Sequence, residues 1–163
     1  MDVGTVNSDT AAATDRLFAL IERKWGILQA LREVAVKQLD LVRKGCSMAE
    51  LLRLLSAKQG VIDELTKVER DLDPFREQDP DTRVWRSPDG RARCAALASS
   101  CGEWLGEIMQ MEKETEAAMI RRREATAKRL QTTSSALAAR QAYGETAGHA
   151  TPNNQGAFDW TSS

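Results

Sequence analysis

The chain is expected to be all-α: an antiparallel helical hairpin, elongated, plus a long third helix, together a three-helix bundle of coiled-coil type. Three observations carry that expectation. Leucine-type residues recur at spacings of three and four over long stretches, which is the period of about 3.5 residues of helices packed side by side. Gly (10) and Pro (4) are few among 163 residues and fall mostly outside the periodic segments. An all-β fold needs far more turn residues than that. Aromatic content is only 5%, so the core must be built from Leu, Ala, Val, Ile and Met.

Residues 1–13 are small and polar and read as a disordered lead-in. Thr14 and Asp15 then offer caps for a first helix over 14–44. Its core line is Leu17, Ile21, Lys24, Leu28, Leu31, Ala35, Gln38 and Val42, with Leu20, Ile27, Val34 and Leu41 beside it and Trp25 at the opposite edge. Arg43-Lys44-Gly45 supplies cations and a glycine stop. Directly after it, Ser47-Met48-Ala49-Glu50 has the S-x-x-E form of a capping box, so a second helix restarts at once, over 48–72. So short a connection makes the two helices antiparallel neighbours.

The second helix, MAELLRLLSAKQGVIDEL onward, carries two apolar rows, Leu51, Leu55, Ile62, Leu65 and Leu54, Val61, Val68. A two-helix seam needs only one narrow strip, so two rows imply two neighbours. Lys58 sits between the rows. Pairing the hairpin outward from Gly45 brings Lys24 within about a turn of Glu69, whereas Lys58 finds no obvious mate. Two readings of Lys58 and Gln59 follow. A lysine stem packed along apolar surface can mark register, or the pair can meet a partner's carboxylates or helix-end carbonyls.

Asp73-Pro74 is expected to end this helix. The loop 73–91 holds Pro74, Pro80, Pro88 and a Ser87-Pro88-Asp89-Gly90 turn signal, with Phe75, Val84 and Trp85 to anchor it over the open end of the hairpin. The third helix is expected over 92–142. Cys94, Leu97, Cys101, Leu105 and Ile108 form its apolar face, widened by Trp104 and Met111. Beyond Met119 the pattern thins: Leu130 and Leu137 keep a seven-residue spacing, but Thr126 and Thr133 occupy the alternate positions. Residues 14–143 make the helical bundle, and 144–163 read as a disordered tail with an apolar ending at Phe158 and Trp160.

Composition narrows the function. Net charge is −1, from 23 basic and 24 acidic residues interspersed along the chain, and the one basic run, Arg121-Arg122-Arg123, lies between Glu116 and Glu124. That balance argues against nucleic-acid binding. No apolar stretch approaches the roughly 20 residues of a membrane span, and the N-terminus lacks a signal-peptide pattern. Cys94 and Cys101, seven residues apart on one helix face, behave as small hydrophobes of a reduced, cytoplasmic protein.

No catalytic residue, cofactor site or metal site is expected. The single histidine, His149, has no carboxylate or cysteine nearby in sequence, and no phosphate-loop, dinucleotide, zinc-hydrolase or serine-hydrolase motif is present. Glu112, Glu114 and Glu116 read as solvated surface. What remains is binding, through the sparse second half of the third helix. Met109, Met111 and Met119 near its start are the adaptable kind of apolar contact, and such a surface suits an amphipathic helix of another protein.

A Leu-rich helix ending in RKG, a capped restart and then LLRLLSAKQGVIDELTKVERDLDP together resemble the FlgN family of flagellar export chaperones. The residues with most weight are Leu51-Leu52, Leu54-Leu55, Lys58-Gln59, Ile62 and Leu65. The resemblance covers about 15–143 and is sharpest over one helix. It implies a cytoplasmic, non-enzymatic type III secretion chaperone that binds the C-terminal helices of hook-filament junction proteins, keeps them unassembled and delivers them to the export gate. It places substrate binding in the C-terminal half, here the region of Met111, Met119, Leu130, Leu137 and Tyr143. The expected assembly state is a monomer or weak dimer, without membrane insertion. Two competing readings are a self-associating coiled-coil scaffold or adaptor, and an export chaperone for a filament-cap or rod protein. The long Trp85 loop and the FDWTSS ending depart from the family pattern.

Overall fold

The computed structural model describes residues 3–148 and is all-α, with no strand among them. Helix α1 spans Val3–Lys44, α2 spans Met48–Arg76, a single 3-10 turn covers Pro80–Thr82, and α3 spans Pro88–Gly148. The chain divides into two compact units, Met1–Met119 and Ile120–Ser163.

The hairpin forms for the reasons expected. Gly45 takes the left-handed conformation, φ 84°, and the N–H groups of Gly45 and Cys46 both donate to the Leu41 carbonyl at 3.0 and 3.1 Å. Those two bonds satisfy carbonyl capacity that a helix end otherwise leaves to water. Ser47 then closes a capping box: its hydroxyl accepts from the Glu50 N–H at 3.2 Å, and its own N–H donates to the Glu50 carboxylate at 3.0 Å. Cys46 packs on Val42, Leu51 and Ala118 just inside the turn. Gly45→Ala places a Cβ in a conformation it disfavours. Chemical denaturation should show a loss of about 1 kcal/mol; an unchanged midpoint would mean the turn relaxes freely.

Three apolar clusters run along the first unit. Leu17, Leu20, Ile27, Val68 and Leu72 join α1 to α2. Leu28, Leu31, Cys101 and Ile108 join α1 to α3, with Val61, Ile62 and Leu65 of α2 against them. Near the hairpin turn, Val42, Leu51 and Ala118 bring together all three helices. The two rows of α2 thus meet two neighbours. Polar pairs fix the direction of α3: Asp15 with Arg86, Trp25 with Ser100, Arg32 with Glu107, and Arg43 with Glu114. Their near-constant sequence offset makes residues 88–119 parallel to α1 and antiparallel to α2.

The boundaries differ from expectation at four places. First, α1 begins at Val3, so the expected disordered lead-in is helical. Ala11 and Thr14 are buried there, and the Thr14 hydroxyl donates to the Thr10 carbonyl at 3.0 Å instead of capping a helix start. The segment TAAATD is rich in the best helix former, alanine, which favours this continuation. Second, α2 runs through Pro74 to Arg76. Proline costs one ladder bond, and only a final turn is added, with Phe75 packed on the first cluster.

Third, Ser87-Pro88-Asp89-Gly90 is a helix start, not a turn. The Ser87 hydroxyl accepts from Gly90 N–H at 3.1 Å, and proline at the first helical position has no N–H to leave unsatisfied. The loop therefore shortens from 73–91 to 77–87. Arg83 ties it down by donating to the Phe75 carbonyl at 2.9 Å. Trp85 lines a cavity of about 360 Å³ with Leu17, Leu72, Phe75 and Cys94. Fourth, α3 continues past 142 to Gly148. Residues 149–163, with His149, Phe158 and Trp160, lie outside the described residues.

Within α3 the apolar line also shifts. Leu105, expected on the buried face, is exposed, while Cys94, Cys101, Ile108, Thr115 and Ala118 are buried. The alternation of three and four passes through Trp104 and Met111, which pack on the second cluster. Trp104 meets Trp25 with ring centroids 5.3 Å apart, and the Trp25 indole N–H donates to Ser100 at 3.2 Å. Burial pushes the thiols of Cys94 and Cys101 above their ordinary range, so both stay protonated as small core residues.

Candidate partner-binding surface

Two polar features within the first unit decide which charges are available to a partner. Lys24 meets Glu69 at 2.5 Å, the hairpin pair expected from register. Arg76 also pairs with Glu69. Burial alone would raise the Glu69 carboxyl, but the hydrogen bonds and charges of Lys24 and Arg76 outweigh it and hold it below the ordinary 4.5. A depressed carboxylate contributes stability above its unfolded value and loses it as pH falls through the folded one. Acid titration of Glu69→Gln should therefore show a shallower loss of stability below about pH 4.5 than the parent. Parallel curves would mean Glu69 contributes nothing to the acid limb.

Lys58 is the second feature, and its mates come from both neighbours. Its ammonium donates to the Gln38 amide oxygen of α1 at 3.0 Å and pairs with Glu112 of α3. The Lys58 side chain is 14% exposed, and Gln38 is buried. One charge thus ties three helices at one level, the register role that a polar residue in a packed seam can play. Glu112, expected as plain solvated surface, is part of that layer. Gln59 is exposed and donates to Asp63 of its own helix at 2.9 Å. Neither the geometry of Lys58 nor its pairing leaves its charge for a partner.

The residues expected to bind a partner fall into different surroundings. Met111 packs against the second cluster and belongs to the bundle, because the three-and-four line of α3 passes through it. Met119 is exposed and ends the first unit. Leu130, Leu137 and Tyr143 belong to the second unit and are 66%, 54% and 80% exposed. Every described residue from Ile120 to Gly148 is exposed. This segment stays helical on local grounds, being rich in Ala, Arg, Lys and Gln. Thr132, Thr133 and Thr146 turn their hydroxyls back onto carbonyls one turn earlier, at 2.9, 2.9 and 2.8 Å.

Leu130 and Leu137 are two turns apart and share a face within about 20°. Tyr143 does not join them, lying roughly 120° around the helix from Leu137. The segment therefore offers a narrow apolar line with no cover from the described residues. A second exposed apolar pair, Met48 and Leu52, lies one turn apart on α2. Sequence reading passed over it, although Leu52 falls outside both apolar rows and so was its signal.

Among the described residues, no group of three or more potential metal ligands is assembled, and no helix is long and apolar enough to cross a membrane. The fold and this surface define a class: an all-α three-helix bundle whose chain continues into a helical segment, residues 120–148, exposed at every position. Compared with protein-family models, with curated proteins and with solved structures, the chain matches none.

Proposed function

We propose that this protein is a cytoplasmic flagellar export chaperone without enzymatic activity. It holds the C-terminal amphipathic helices of hook-filament junction proteins, prevents their premature assembly and hands them to the export gate. The observation that carries the reading is the helical segment 120–148, exposed at every position, with its Leu130–Leu137 line. Local propensity holds such a segment helical, but in folded proteins most helical stability comes from packing an apolar face. A client helix laid along this line would provide that packing and have its own apolar face covered. Only two leucines contribute, so affinity stays modest and release needs no large input of free energy.

The α2 sequence supports the same reading through its resemblance to the FlgN chaperones. The seven-residue leucine spacing equally suits a second copy of the chain, which is the scaffold reading. Capture experiments with separate C-terminal fragments of junction, filament-cap and rod proteins test the proposal. Junction fragments should be retained by the full chain at one-to-one stoichiometry. Retention of a cap or rod fragment instead would replace the client. Failure of all three, together with a stable oligomer in sedimentation, would favour the scaffold.

A further inference from the structure

The charge of the bare segment is unlike that of the bundle. Between residues 120 and 148, Arg121, Arg122, Arg123, Lys128, Arg129 and Arg140 stand against Glu124 and Glu145, a net charge of +4. Residues 3–119 carry −3. In the bundle, several basic side chains on each of the three helices are matched by carboxylates, among them Lys24, Arg32, Lys58, Arg76 and Arg93. In the segment, Arg123, Lys128, Arg129 and Arg140 pair with no carboxylate among the described residues.

Lys128 lies on the side of the helix opposite the Leu130–Leu137 line, but the other three lie on that line or along one flank of it. Arg123 lies within about 20° of the Leu130–Leu137 line, two turns before Leu130. Arg129 and Arg140 share one flank, roughly 60–100° from that line, where the opposite flank presents Gln131, Ala138 and Glu145. In paired helices, residues flanking the apolar seam choose the partner through their charge. A cation left beside a seam loses hydration when a helix docks, and an opposing carboxylate offsets that loss.

We propose that this face selects an acidic amphipathic helix, one with an apolar line and carboxylates along the flank that meets Arg129 and Arg140, plus a carboxylate opposite Arg123. The inference rests on the helix-capture reading and adds the chemistry of the client. The bundle's own negative charge acts in the same direction in another sense: it gives a second copy of this chain some claim to the same site, and the test separates that occupant.

Three synthetic amphipathic helices of one length serve as probes, sharing a leucine line and carrying Glu, Gln or Lys on one flank. Binding to the full chain is read by fluorescence anisotropy across about 0.05–0.5 M salt, a range over which the screening length falls severalfold. The Glu probe should bind about tenfold tighter than the Gln probe at low salt, from a few exposed pairs, and the preference should shrink as salt rises. Arg123→Glu with Arg129→Glu and Arg140→Glu should transfer the preference to the Lys probe, while Arg→Gln at the same positions should erase it. Helicity should persist in both variants, because all three residues are exposed.

Equal affinity for Glu and Gln probes at every salt concentration would overturn charge selection and leave helix capture standing. No binding of any probe would remove both. Salt-sensitive self-association in sedimentation, lost in the arginine variants, would overturn the acidic-client proposal in favour of a second copy.

Discussion

Leu130→Asp with Leu137→Asp is expected to abolish client capture while leaving helicity and the melting temperature nearly unchanged. Both side chains are more than half exposed, so the free protein loses no packed contact when they become charged. In a complex the same two positions form the apolar line, and an aspartate buried there without a partner costs several kcal/mol. Two such charges together outweigh the roughly 3–6 kcal/mol that two fully buried leucines return. Circular dichroism and thermal melting give the control, and retention of a junction-protein fragment gives the readout. If melting falls sharply, the leucines are core residues, and the bare-segment reading is wrong.

Glu112→Leu is the second large effect, and its sign can be reversed by a matched change. The substitution leaves the Lys58 ammonium with only the Gln38 oxygen in a site that is mostly shielded from water. Breaking one side of a buried pair is far more costly than replacing the whole. Glu112 is itself 39% exposed, so solvent screening lowers the cost to about 2 kcal/mol. Replacing the layer together, with Gln38→Leu, Lys58→Met and Glu112→Leu, removes the unsatisfied groups and should restore or exceed parental stability. Denaturation midpoints of the two variants check this. Equal destabilisation in both would mean the layer contributes net stability and not register alone.

The part of the molecule legible from residues alone is the part governed by local rules. Gly45 and the Ser47–Glu50 box predicted the turn because both act through the backbone within a few residues. The Lys24–Glu69 pair followed because a short turn leaves one register for the hairpin. Three errors arose where two local signals competed. Thr14 looked like a cap, Pro74 like a stop, and Ser87-Pro88-Asp89-Gly90 like a turn. In each case the residue type permits either role, and burial or an adjoining helix decides. Ser87-Pro88 could have been read correctly, since a capping serine before proline is also a helix start.

The site divides along the same line. The thinning beyond Met119 showed in the sequence as Thr126 and Thr133 in place of apolar residues, and residues 120–148 are indeed exposed throughout. Met111 was misplaced because an apolar residue at a seam position reads alike whether its neighbour belongs to the same chain or to a partner. Tyr143 is exposed but stands off the Leu130–Leu137 line, because an apolar tally ignores angle.

What the sequence determined by itself was helix, turn and pairing between consecutive elements, all set by backbone capping and by a period of about 3.5 residues. Only tertiary structure decided the fate of Lys58. Its two mates lie 20 and 54 residues away on different helices, and no spacing rule along one helix can bring three such side chains together. That requires the helices to be packed first.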